Sequence, residues 1–212
     1  MGVEDNSMGV LWMAMGSYAL VGAITPGPVN ILALRHGASA GRGAALAYVM
    51  GASVSYAGVV WLMGLGGQFV LSTPWAMHLA RYAGAAYLFH LAWKMASAPV
   101  IEMDSLDGGT HGTARSFGLQ SCAQGALTQV LNPKAWIVAF SGVSLFVLSQ
   151  RDALQAQWLF VSVSLLACLM GVGSWALAGR ALARWLTPPR RQRGFNRAMG
   201  CVLALCVLAM LG

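Results

Sequence analysis

The sequence predicts an all-α, polytopic membrane protein of six transmembrane helices, built as two inverted three-helix repeats in which helices one and four are broken. Three observations predict it. The chain of 212 residues is 58% hydrophobic and only 9% charged, whereas a soluble domain carries about 25% charged residues. Its mean hydropathy is +0.64. Its apolar residues fall into six runs, and two of those runs are cut by proline at matching places.

The runs cover, in order, about residues 8–34, 43–65, 75–96, 117–148, 156–179 and 195–211. Each is long enough to cross about 30 Å of hydrocarbon at 1.5 Å per residue, the sixth only just. The first is interrupted by Thr25-Pro26-Gly27-Pro28-Val29-Asn30. Pro26 and Pro28 lack the N–H groups that would bond the carbonyls of Gly22 and Ile24, and Gly27 admits backbone angles other residues avoid. In hydrocarbon a freed carbonyl needs a partner, so broken backbone is buried in protein or lines a wet cavity. A plain proline kink and a substrate site are both compatible with this stretch alone. The fourth run is cut at Asn132-Pro133-Lys134, where Pro133 frees the carbonyl of Gln129.

The second run carries Gly43, Ala47, Gly51 and Ser55 at four-residue spacing. This small-residue face lets another helix approach closely, from the other half of the chain or from a second copy in a homodimer. Ala19-Leu20 precedes Pro26 by the distance at which Ala126-Leu127 precedes Pro133, and Arg81-Tyr82-Ala83-Gly84 is echoed by Arg197-Ala198-Met199-Gly200. The whole chain, 1–212, therefore reads as one transmembrane domain with halves at about 8–96 and 117–212 and a polar connector at 97–116. Three spans per half is an odd number, so the halves face opposite ways.

Charge sets the orientation. Ten of the thirteen Lys and Arg flank or occupy connectors one, three and five: Arg35, Arg42, Lys94, Arg115, Arg180, Arg184, Arg190, Arg191, Arg193 and Arg197. Basic excess marks the cytoplasmic face, so both termini are expected outside a bacterial plasma (inner) membrane. The net charge of +7 is thus a topology signal, with anionic lipid as a secondary partner, and not a nucleic-acid surface. Glu4 and Asp5 stand where a signal peptide would be basic. Cys122, Cys168, Cys201 and Cys206 lie in apolar runs without zinc-ligand spacing and read as packing residues. No metal or cofactor is implied.

Lys134 is the one basic residue well inside a run, and no acidic residue accompanies it. An intramembrane lysine faces a cavity or a partner, or else snorkels to the interface. Thr25, Asn30, Gln129, Asn132 and Thr128 surround the two breaks with neutral hydrogen-bonding groups. With Lys134, the helix start at Pro28 and the freed carbonyls, they suit a small zwitterion. His90, the midspan histidine, lacks the context of a catalyst and reads as a helix-to-helix hydrogen-bonding group. His36, His78 and His111 read as solvated.

These motifs resemble the lysine-exporter (LysE/RhtB) family of amino-acid efflux proteins. The matching residues are Ile24-Thr25-Pro26-Gly27-Pro28, Gly37, Gly41-Arg42-Gly43-Ala44, Gly51, Gly84-Ala85-Ala86-Tyr87-Leu88, Trp93-Lys94 and Leu131-Asn132-Pro133-Lys134-Ala135, in order along nearly the whole chain. The resemblance implies secondary-active export of amino acids or related small metabolites, by proton exchange (antiport) or driven by the membrane potential, and no enzymatic activity. A passive channel or facilitator for zwitterionic solutes is the alternative reading, and an intramembrane enzyme a third. The substrate site is expected at Thr25, Pro26, Gly27, Pro28, Asn30, Gln129, Asn132, Pro133 and Lys134. Two departures bear on coupling and substrate. An acidic residue common in the second span is missing from Gly51-Ala52-Ser53-Val54-Ser55-Tyr56, and Gln129 stands where asparagine is common.

Overall fold

The computed structural model describes residues 2–67, 74–98 and 114–211. Among them are eight α-helices: α1 Gly2–Ile24, α2 Pro28–Ser39, α3 Gly41–Leu62, α4 Pro74–Ala96, α5 Ala114–Val130, α6 Pro133–Phe146, α7 Ala153–Ala183 and α8 Pro189–Leu211. A short π turn, Met63–Gly67, ends α3, and Gly66 there has a φ of 100° that favours glycine. The helices fall where the six apolar runs lie, with α1 and α2 sharing the first run and α5 and α6 the fourth. Most of the polar connector 97–116, with His111, lies outside the described residues.

By length and apolarity, Gly41–Gly66 and Ala153–Ala183 qualify as membrane spans, and Gly9–Ile24 with Pro28–Ser39 makes a third if that pair, bent by 66°, is one crossing. This is fewer than the six expected. The other helices carry their own polar load: Arg81 and Lys94 on α4, Gln120 and Gln124 on α5, and Arg190, Arg191, Arg193 and Arg197 on α8. Those four arginines were assigned to connector five, but α8 already starts at Pro189, a favoured first helical residue. At 31 residues α7 is about 46 Å long and outreaches the hydrocarbon.

The helix pairings repeat between the halves. Exchanging α1 with α5, α2 with α6, α3 with α7 and α4 with α8 turns the α3–α5 contact into α7–α1. It likewise turns α2–α7 into α6–α3 and α2–α3 into α6–α7. The α3–α7 and α4–α8 pairs map onto themselves, and all of these contacts are present. Glycine sets the closest of them. Gly51 lies against the Cys122 carbonyl and Gly125 against the Tyr48 carbonyl, so α3 and α5 meet backbone to backbone. Gly37 on the Ala176 carbonyl and Gly179 on the Leu34 carbonyl do the same for α2 and α7. Of the small-residue face on α3, then, Gly51 serves the other half of the same chain, while Gly43 has nothing near it.

Tyr48, Phe160, Met15, Leu32, Leu88, Met95 and Leu203 are fully buried. Trp12, Met13, Val21, Leu46, Val54, Leu166 and Leu177 point outward, as a lipid-facing surface requires. His36, expected to be solvated, is buried: its Nδ1 donates to the Leu32 carbonyl at 2.9 Å and its ring stacks on Tyr48 with centroids 4.4 Å apart. His90, expected between helices, stands on the exposed face of α4. Polar groups alone do not tell which side of an apolar helix turns inward.

Candidate functional site

At the first break, α1 closes on its own last turn. The backbone N–H and hydroxyl of Thr25 both donate to the Val21 carbonyl. Gly27 then caps α2 in extended backbone, with φ −174° and ψ 177°. Any residue adopts those angles, so conformational freedom is not what glycine supplies here. It supplies space: a Cβ on Gly27 would stand 3.7 Å from both Cδ and Nζ of Lys134.

Three carbonyls around the break, those of Ala23, Ile24 and Thr25, have side-chain partners. Asn30, on the first turn of α2, reaches back and donates through Nδ2 to Ala23 O at 2.9 Å and Thr25 O at 2.8 Å. Trp175 Nε1, from α7, donates to Ile24 O at 3.0 Å. The expectation that the Ile24 carbonyl waits for a substrate ammonium is therefore corrected, because an indole already fills it. The same holds for Gln129, whose carbonyl accepts from Asn132 N at 3.2 Å.

The second break is built differently. Asn132 caps α6, its Oδ1 accepting from Lys134 N at 3.2 Å, and Pro133 takes the first helical position. Trp136 Nε1 donates to Val130 O at 2.7 Å. The N-terminus of α6 is thus capped by a side chain, whereas that of α2 has no side-chain cap. Its first N–H groups and positive dipole end are left for another acceptor.

Lys134 joins the two breaks. Its Nζ donates to Thr25 O at 2.8 Å across 109 residues of sequence. Among the described residues no carboxylate lies beside it in the cleft. The cleft around it is small, about 40 Å³, and is lined by Gly22, Ala23, Thr25, Gly27, Val29, Asn30, Tyr56, Gln129, Asn132, Lys134, Ala135, Val138, Cys168 and Val172. Of the nine residues expected from sequence, six line it: Thr25, Gly27, Asn30, Gln129, Asn132 and Lys134. Pro26, Pro28 and Pro133 do not; they shape the backbone that does.

Among the described residues no acidic side chain lines the cleft, and no group of His, Cys, Asp or Glu could hold a metal. The Gln129 residue is 6% exposed and its exposed part lines the cleft. Tyr56 and Cys168 were not expected here. Cys168 was read as packing, and Tyr56 was noted only as the end of a stretch without an acid. Their apolar surroundings in sequence hold no signal that they face a cavity.

The residues 20–211 match the model of a protein family described as LysE type translocator. A cysteine/O-acetylserine efflux protein of Shigella flexneri is 35% identical over 204 residues, with 94% of each chain covered. Proteins of the same description from Escherichia coli and Shigella sonnei are 36% identical over 203 residues, covering 93% of this chain and 94% of theirs. No solved structure matches the chain.

Proposed function

The chain belongs to the LysE type translocator family, and from that premise we propose that it exports cysteine, O-acetylserine or a similarly small neutral amino acid through the cleft between its two breaks. As a bacterial multi-pass membrane transporter it moves its substrate without transforming it. One observation carries the assignment of the site: the Lys134 ammonium bridges the breaks through a neutral carbonyl, Thr25 O. A zwitterion offers a better partner to each side of that bond. Its carboxylate takes Lys134 and the uncapped start of α2. Its ammonium takes the place of Nζ on Thr25 O. Gln129 and Asn132 fix its orientation. Binding thus replaces the link between the breaks with the substrate itself, and loading is coupled to movement of α1 and α2 relative to α6.

In this reading the six helical runs are six spans, the halves are inverted repeats, connectors one, three and five are cytoplasmic, and both termini are outside the inner membrane. Export draws on proton exchange or the membrane potential. Radiolabelled export from cells producing the protein, over a panel of amino acids, tests the assignment. Cysteine and O-acetylserine are expected to leave faster, with saturation, and Lys134→Ala to abolish the gain at equal membrane abundance. Near-normal export by Lys134→Ala would remove the cleft from the mechanism. Flux without saturation or counterflow would favour the channel alternative.

A further inference from the structure

Among the described residues, three buried side-chain oxygens make no well-formed hydrogen bond: Ser164 Oγ, Gln157 Oε1, and Ser53 Oγ, which has the weakly bonding Cys168 thiol beside it. All three stand on α3 or α7, which pack against each other. Gln157 Nε2 donates to Val60 O at 2.9 Å and Trp61 O at 3.4 Å, which puts the start of α7 beside the end of α3. The two helices therefore run antiparallel. Two turns inward from that clasp on each helix, Ser53 and Ser164 come level. Both are 0% exposed. Their level lies between those of Tyr56 and Cys168, which both line the cleft. The serine pair thus stands at the level of the cleft without lining it, and Gln157 lies about 10 Å further along the seam.

An intrahelical bond would have been available to these serines. Ser39, Thr128, Ser149 and Ser162 each turn their hydroxyl onto the carbonyl four residues back, as serine and threonine do in apolar helices. Ser53 and Ser164 do not. An unmet buried hydroxyl is costly, and so is the Gln157 carbonyl oxygen. At the far end Gly64 lies against the Gln157 carboxamide, and the chain kinks at Gly66 in the π turn.

We propose that the α3–α7 seam is the passage by which substrate leaves the cleft, with Ser53 and Ser164 as its first polar station and Gln157 as its exit. The proposal rests on the cleft being the substrate site. In the closed seam Ser164 Oγ and Gln157 Oε1 are unpaired and Ser53 Oγ has only a weak thiol partner. In a parted seam, water or the ammonium and short polar side chain of the amino acid pairs them, so the closed state is held only weakly against the open one. The passage leads toward Met63–Gly67, the face that the basic-residue bias places outside, which is the direction export needs.

Single cysteines test it, introduced into the otherwise unmodified protein, whose own reaction with the reagent is the baseline and whose cargo is O-acetylserine, a substrate without a thiol. Reconstituted vesicles turning over substrate are treated with a membrane-impermeant, charged thiol reagent. S53C and S164C are expected to react at least tenfold faster than V54C and L166C, whose native side chains are 56% and 59% exposed on the outer surface, and reaction should block export. Equal inertness at all four positions, in exporting protein, would overturn the passage. A second variant needs no labelling. S53A combined with S164A should raise the melting temperature, because two poorly paired groups are gone, and lower the export rate severalfold. A raised melting temperature with unchanged export would also overturn it. Export lost in Lys134→Ala with inert S53C and S164C strikes the seam alone; export retained in Lys134→Ala strikes the cleft.

Discussion

Replacing Asn30 by alanine measures what holds the first break together. Asn30 Nδ2 donates to Ala23 O, at 2.9 Å, and shares Thr25 O, at 2.8 Å, with Lys134. Thr25 O keeps Lys134 in the variant, but Ala23 O is left bare. Asn30 is 3% exposed, so little water reaches it. One lost bond at about 1 kcal/mol and one orphaned carbonyl at about 1–3 kcal/mol give a loss of about 2–4 kcal/mol. For a chain of this size that lowers the melting temperature by about 5–15 °C. Thermal unfolding of the purified protein reads it. Ser162→Ala is the control, since its exposed hydroxyl bonds the Trp158 carbonyl of its own helix, and it should shift the midpoint far less. Asn30→Ala should also export poorly, because an unstitched break no longer presents the α2 N-terminus to the cleft. A midpoint and export rate equal to those of the unmodified protein would refute this account of the break.

Further predictions follow from single contacts. Trp175→Phe removes the donor to Ile24 O and should destabilise by about 1–3 kcal/mol in thermal unfolding. Gly51→Val should fail to assemble, because a Cβ there meets the Cys122 backbone, while Gly43→Ala, with open space around it, should be silent; monodispersity after extraction separates the two. Gly27→Ala should fold normally, since its backbone is extended and a Cβ makes only ordinary contact with Lys134. Gly27→Val should lower export without lowering the melting temperature, by crowding the ammonium. Reporter fusions should place connectors one, three and five in the cytoplasm; a cytoplasmic C-terminus would contradict the orientation.

The sequence makes the breaks and the lysine legible because their signals are local. A proline removes a hydrogen bond wherever it stands, and a lone charge in an apolar run demands a partner. Helix positions follow from the apolar runs for the same reason. What the helices do to one another is another matter. In lipid the outward face is as apolar as the inward one, so Tyr56 and Cys168 on the cleft, and Trp175 on the Ile24 carbonyl, have no polar stripe to announce them. His36 was misplaced because a histidine near a helix end is usually wet; here Tyr48 and the Leu32 carbonyl take both its ring face and its N–H. The role of Gly27 was misassigned because sequence distinguishes poorly between a glycine needed for its angles and one needed for its missing Cβ. Only the extended φ and the nearness of Lys134 tell them apart.

The central claim is that Lys134 binds the substrate carboxylate. Affinity measured by calorimetry for cysteine and for its decarboxylated analogue, in the unmodified protein and in Lys134→Ala, tests it as a cycle. Loss of the ligand carboxylate should weaken binding to the unmodified protein at least tenfold, about 1.4 kcal/mol, and change binding to Lys134→Ala very little. An equal loss in both proteins would show that the carboxylate is recognised elsewhere, and would contradict the account.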